Sequence, residues 1–562
     1  MVSLIALAGC AEAVVDGADP STDPGSEPAE SAQLRVEPAT ASVDVVDGAV
    51  ATQVYRAYLV DADGNRTDVT DRAAFSIADE RFGHATGSSV VATGAGAGVT
   101  HVIARLPGRT RLVASSELAV HVKVTDTSDV DASMVHAFDS ASNVVGCATR
   151  IAYPADGTVV PANLGRMDVQ FTDADHDIYR IRLSNAYVDY TLYTHDARPQ
   201  AIDGARWQWF ATSRHHMQLD VAAMDSSAPA AMCATRPRTV DITDTDVNGA
   251  VYYIATDDGT PNASRVVRHD MVTGRSETMQ TADAQCVGCH AVSRDGRRMA
   301  VSVDAAGGRG AVYDLATGDT MPMGTDAHWT SATFTPDGKQ LLTVESGTMN
   351  LFDVATGRKL ATYETGTVTG NPEISPDGQH VVSVEVAGGS DWDFAGAQVV
   401  VRELSQDTLR LGEPKTLVSF DDASGMQSYY PSWSPDGKYV AITRSASGDS
   451  YSSTDASVWV VAANGGLPPV QITAPGETGS WARWMPFGST VHGEPVYFLS
   501  FSSARDFGIS YPRDRQQIWI APFFPYRAYE KPFASAPAYH APFQSTLTEN
   551  HNAQWATTAV GM

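Results

Sequence analysis

The stretch "TPDGKQLLTVESGTMNLFDVATG", residues 335–357, holds a tight turn, an apolar run, a second turn and another apolar run. Proline presets φ for the turn, aspartate bonds to nearby backbone and glycine accepts a positive φ, so T-P-D-G reads as a hairpin turn joining two strands. The same element recurs as Ser293-Arg294-Asp295-Gly296, Ser375-Pro376-Asp377-Gly378 and Ser434-Pro435-Asp436-Gly437. Its aspartates are spaced 42, 40 and 59 residues apart. One turn role accounts for all four, so none of them is read as catalytic.

A period near forty, with several short strands per repeat, is the signature of propeller blades. Degenerate copies around Gly249 and Gly488 bring the number of blades to six, and the insertion "VAGGSDWDFAGA", 386–397, absorbs part of the long spacing. A propeller needs its ring closed to avoid an open sheet edge, and "STLTENHNAQWATTAV", 545–560, is the candidate closing strand. These repeats resemble the six-bladed TolB-type propeller, which assigns residues 239–562 to that domain.

Upstream, residues 34–125 alternate apolar and polar positions in short runs with turn signals about every ten residues, the pattern of a small sandwich. The order "VEPATASVDVVDG", "DADGNRTDVTDRAAFSIAD", "GVTHVIARLPG" resembles bacterial Ig-like domains. Asp61, Asp63, Asn65 and Asp68 read as a turn before they read as a calcium loop. Residues 130–238, with strand-like runs that include "WQWFATS", read as a second sandwich of fibronectin type III character. The expected fold class is therefore all-β, with two N-terminal β-sandwich domains followed by a six-bladed β-propeller.

The 562 residues carry 66 acidic and 39 basic side chains, a net charge of −27 that disfavours nucleic acid and anionic lipid head groups as partners. The first residues, "MVSLIALAGC", resemble a bacterial lipoprotein signal, although no Lys or Arg precedes the apolar run. That resemblance implies lipidation of Cys10, with residues 1–33 as signal and tether, export to the outer membrane or cell surface, and a lipid anchor as the membrane attachment. Of five cysteines, Cys10, Cys286 and Cys289 are used by motifs. Cys147 and Cys233 remain, and in an exported chain a disulfide between them is the natural reading, with two buried thiols as its rival.

Cys286-Val287-Gly288-Cys289-His290 is a C-x-x-C-H pentapeptide. Two such thiols form thioethers to one haem and the adjacent imidazole ligates its iron. A zinc half-site and a redox-active or oxidised cysteine pair are the alternatives, but no second ligand pair follows and no βαβ context surrounds it. Aligning the turns sets residues 286–292 beside 427–433, the innermost strand of another blade. Residues 148–562 further resemble myxobacterial-type surface lipoproteins that carry "CVGCHAxSRDG" and end in an "NHxxQW"-like segment, here Asn550 to Trp555.

The motif and that resemblance imply one covalent haem c with His290 as proximal ligand; for the far side of the iron the resemblance offers His551 and the repeat spacing offers His328, with an open or methionine-ligated position as the alternative. His328 lies 42 residues, one repeat, beyond Cys286. Electron transfer or redox sensing with an unidentified redox partner is the expected function. A cell-surface binding or scaffolding module is the rival, and an open iron position would admit peroxidase-type chemistry. No G-x-S-x-G or H-E-x-x-H element is present.

Overall fold

The computed structural model describes residues 32–108, 112–143, 148–257, 264–279, 287–303, 307–324, 327–447, 452–466, 468–510, 515–529 and 534–560. Strands dominate it, and the C-terminal part is a ring of antiparallel sheets. Blade I is built from both ends of the propeller: the strand Thr548–Ala556 pairs with Ala250–Asp257, which continues into Ser264–Asp270 and Arg275–Thr278. The closing strand is thus the innermost strand of its blade. Blade II begins with Val287–Val292, blade III with Ser331–Phe334, blade IV with Val368–Ile374, blade V with Gln427–Trp433 and blade VI with Ser480–Trp484. Blade IV carries the long repeat, and its added strands Arg410–Leu411 and Lys415–Val418 lie at its outer side.

The turns behave as their composition dictates. In blade II the Ser293 hydroxyl donates to Asp295 at 2.6 Å, the same carboxylate accepts from the Arg297 amide at 3.1 Å, and Gly296 takes φ of 69°. Thr335, Ser375 and Ser434 donate in the same way to Asp337, Asp377 and Asp436 at 2.8, 2.5 and 2.7 Å. These carboxylates are occupied in holding the turn.

The two N-terminal units are joined more closely than separate sandwiches would be. The long strand Val113–Asp126 pairs with Gly98–Arg105 and Thr40–Val46 in the first unit, and its far end runs parallel to Val188–Thr194 of the second. One sheet therefore crosses the boundary expected near residue 126. Asp61 accepts from the Asp63 and Asn65 amides, as a turn requires.

One element departs from the strand reading. Residues Gly204–Ser213, which include "WQWFATS", form an α-helix that buries Trp207, Trp209 and Phe210. Trp207, Phe210 and Ala211 fall at i, i+3 and i+4, so a helix turns them together into the core, and a short apolar run does not reveal this period. A single apolar core continues from the sandwiches into blades I, V and VI. Cys233 is disulfide-bonded. Cys147 lies outside the described residues, as do Cys10 and Cys286.

Candidate functional site

Each innermost strand approaches its turn with equivalent columns of residues. Two positions before the turn residue stand Ala291, Thr333, Glu373, Ser432, Arg483 and Gln554, one per blade. One position later stand Val292, Phe334, Ile374, Trp433, Trp484 and Trp555, which fill the space between blades. The indole of Trp433 donates to the Glu373 carbonyl at 3.1 Å and that of Trp484 to the Ser432 carbonyl at 3.0 Å, so each reaches back to the preceding blade.

Four positions before the turn, the strands break register. Asn371, Tyr430, Trp481 and Asn552 all have positive φ, between 41° and 56°, beside irregularities in the ladder. A left-handed backbone costs roughly 1–2 kcal/mol for Tyr430 and Trp481 and less for the two asparagines, and a bulge repeated in four blades marks a site where the ring re-aims its side chains. In blade II this column holds Cys289, and the pairing is irregular there too.

Cys289 is a free, buried thiol packed with Val384, Phe394, Tyr429, Tyr430 and Trp481. Burial pushes it up to about 12, with Arg483 pulling weakly the other way. The insertion in blade IV supplies Phe394, which stacks on Tyr429, while Tyr430 stacks on Trp481 at 4.2 Å. The insertion and these aromatic rings enclose Cys289 in one buried apolar cluster. Asp391 of the same insertion is held by the Thr330 hydroxyl at 2.8 Å.

His290 is buried, and its Nε2 donates to the Tyr252 carbonyl of blade I at 3.1 Å. That bond fixes the tautomer: Nδ1 carries the lone pair, and it has no hydrogen-bond partner among the described residues. Burial pushes the imidazole down to about 4, against the carbonyl's opposing effect. His551, on the closing strand opposite Ile254, is pushed down to about 3 by burial and by the neighbouring His290. The closing strand thus brings together two neutral imidazoles 261 residues apart in the chain. His328 is placed differently. It is exposed and bridges to Arg309 at the edge of blade II, so of the two candidates only His551 accompanies His290. Among the described residues no group of three or more His, Cys, Asp or Glu is arranged as a metal cage.

Glu373 and Arg483 were not picked out by motif reading. They are legible only as a column, because a charge at one blade's channel position is not a motif. Burial pushes Glu373 up and Arg483 down, each opposed by the other's charge.

No known protein-family profile matches the chain, and no curated relative matches it. Among solved structures, TolB from Acinetobacter baumannii is similar with a TM-score of 0.38 and 14% identity, over 60% of this chain and 79% of that one. A putative TolB from Agrobacterium tumefaciens gives a TM-score of 0.32 and 13% identity over 55% and 99%. Kuenenia stuttgartiensis hydrazine synthase gives 0.29 and 15% over 42% and 70%. Likeness at this level carries no functional argument, and the assignment as a six-bladed β-propeller rests on the sheets themselves.

Proposed function

We propose that this protein is an exported envelope lipoprotein, anchored through Cys10, whose propeller carries one covalent haem c and passes electrons to or from a redox partner or reports redox state. The observation that carries this reading is the orphaned Nδ1 lone pair of His290, buried beside His551 and adjacent to the free Cys289. Native proteins rarely bury an acceptor without a donor, and a ligand to a metal is one explanation of such an atom. The residues present fit the group in chemistry: Cys286 and Cys289 would hold the macrocycle, His290 would ligate on one side and His551 on the other. When bound, haem supplies a one-electron couple whose potential follows from its axial ligands and burial. The chain's own contribution is to keep both imidazoles neutral by burial and to exclude water with the aromatic cluster.

The test is maturation in a host envelope with cytochrome c assembly, followed by a haem stain on a denaturing gel and a pyridine haemochrome spectrum. A c-type spectrum that vanishes in Cys286→Ser/Cys289→Ser supports the proposal, and a stain that persists in that variant, or never appears in the parent, overturns it. A second reading has its own observation. His290 Nε2 ties blade II to the backbone of blade I, and Cys289 packs against blades IV, V and VI, so the motif would act as a staple inside a binding or scaffolding propeller. A stable, haem-free parent protein would favour it.

A further inference from the structure

The channel has a second end, on the side of the S-P-D-G turns, and its chemistry differs. A cavity of about 140 Å³ opens there. Its rim carries Pro336, Pro376, Pro435 and Pro486 from blades III to VI, while Arg294 takes the proline position in blade II and Thr557 takes it in blade I. Inside, Thr333 and Ala291 form a small neutral wall facing Glu373 and Arg483.

The guanidinium of Arg483 is under-used. Its Nη1 donates to the Pro431 and Ala482 carbonyls, both at 3.2 Å. Its nearest carboxylate oxygen, on Glu373, is 3.9 Å away, outside hydrogen-bond range. Glu373 is held back because its other oxygen accepts from the Trp433 amide at 3.1 Å and the Ser432 hydroxyl at 3.4 Å. Nε and Nη2 of Arg483 therefore have no acceptor among the described residues, although the side chain is only 13% exposed. A guanidinium cannot shed its charge, and its open edge matches a carboxylate in two parallel bonds.

We infer that this end of the channel is a binding site for a carboxylate, presented by a small organic acid or by a peptide C-terminus. Arg483 takes the carboxylate and Arg294 at the rim favours its approach. The cavity's volume admits a group of roughly six heavy atoms, about the size of benzene. Thr333 and Ala291 bound that group and set its limit. The site is lined by a different column from that of Cys289, although the charge of Arg483 is felt at both Cys289 and His290.

The experiment is calorimetric titration of the full-length protein, purified from the envelope at low ionic strength, with three probes: butyrate, the free acid Gly-Gly-Ala and its C-terminal amide. Saturable one-to-one binding of butyrate identifies a small acid as the source, and binding of the free tripeptide alone identifies a peptide terminus. Arg483→Gln should weaken the bound probe at least tenfold. Because that change leaves Glu373 unpaired and can compromise folding, Thr333→Phe serves as the second variant. It fills the cavity from a residue with no side-chain hydrogen bond among the described residues, and it should abolish binding while leaving the unfolding midpoint near that of the parent. Arg294→Pro, which gives blade II the proline of blades III to VI and removes the rim charge, should weaken binding a few-fold. Absence of saturation by both carboxylates, equal binding of the amide, or unchanged affinity in Thr333→Phe overturns the inference.

Discussion

Two buried histidines in this molecule look alike by exposure and differ in what surrounds them. His540 lies where blade VI meets the second sandwich, stacked on Phe507 at 3.9 Å, with its amide donating to the Tyr153 hydroxyl at 3.3 Å. Its Nε2 sits 3.2 Å from both the Gln517 carbonyl oxygen and the Gln544 amide nitrogen, so an acceptor or a donor is available for either tautomer. His290 is likewise bonded through Nε2, but its Nδ1 is buried and without a hydrogen-bond partner among the described residues. Burial pushes both imidazoles well below their usual value. Depressed basicity therefore does not distinguish these two histidines, whereas a buried ring nitrogen left without a partner does.

The largest effect comes from breaking the element that delivers His551. Deleting residues 548–562 removes the inner strand of blade I and exposes the edge of Ala250–Asp257. The truncated protein should lack a cooperative unfolding transition, as measured by circular dichroism against urea; a sharp transition at the parent's midpoint would show that the ring closes without its C-terminus. Next in size is Phe507→Ala at the interface. The ring is 5% exposed and packs on Tyr153, Trp519 and His540, so its loss should cost about 3–5 kcal/mol in urea unfolding.

The comparison itself is tested by a matched pair in haem-free protein. His540→Leu strands Gln517 and Gln544 in the interface and should cost about 1–3 kcal/mol. His290→Leu removes an orphaned nitrogen along with one bond to a carbonyl, and should cost less than His540→Leu under the same conditions. Equal costs would break the distinction. If the proposed haem is bound, the order should invert, because His290→Leu would then also remove the residue proposed to ligate it, a loss the haem absorption bands would report.

These contrasts show which parts of the molecule the sequence made legible. The ring was readable from four turns, because Pro, Asp and Gly each do a local job that needs no tertiary partner. The closing strand followed from the topological need to cover an edge. The helix Gly204–Ser213 was not readable, since its aromatic run has no period until the core it packs against exists. Pairing of His290 with His551, in preference to His328, depended on which column of the inner strand faces the channel. A count of 42 residues from Cys286 stops short of the neighbouring blade, because the residues before Ser331, His328 among them, run along the edge of blade II. Glu373 and Arg483 became visible only when six strands were superposed on their turns.

The smallest effect sharpens the comparison from the side of acidity. Burial holds His540 at about 3 when folded, while an exposed histidine titrates near 6.5. Above 6.5 the imidazole is neutral in both states and contributes its full share of stability. As the pH falls below 6.5 the unfolded chain takes up a proton that the folded chain refuses, so stability declines by up to about 1.4 kcal/mol per pH unit until the folded value is reached. His269, held at about 4 by burial, adds to the same decline. The carboxylates held low by their hydrogen bonds, Asp173 and Asp337 among them, lose their contribution only below about 4. The window from 6.5 to 4.5 therefore belongs mainly to histidines. His540→Gln should flatten the urea-midpoint profile across that window by one proton's worth of slope while lowering it near neutrality. A parallel shift at every pH would mean that His540 titrates alike in the folded and the unfolded chain, its bonds offsetting its burial.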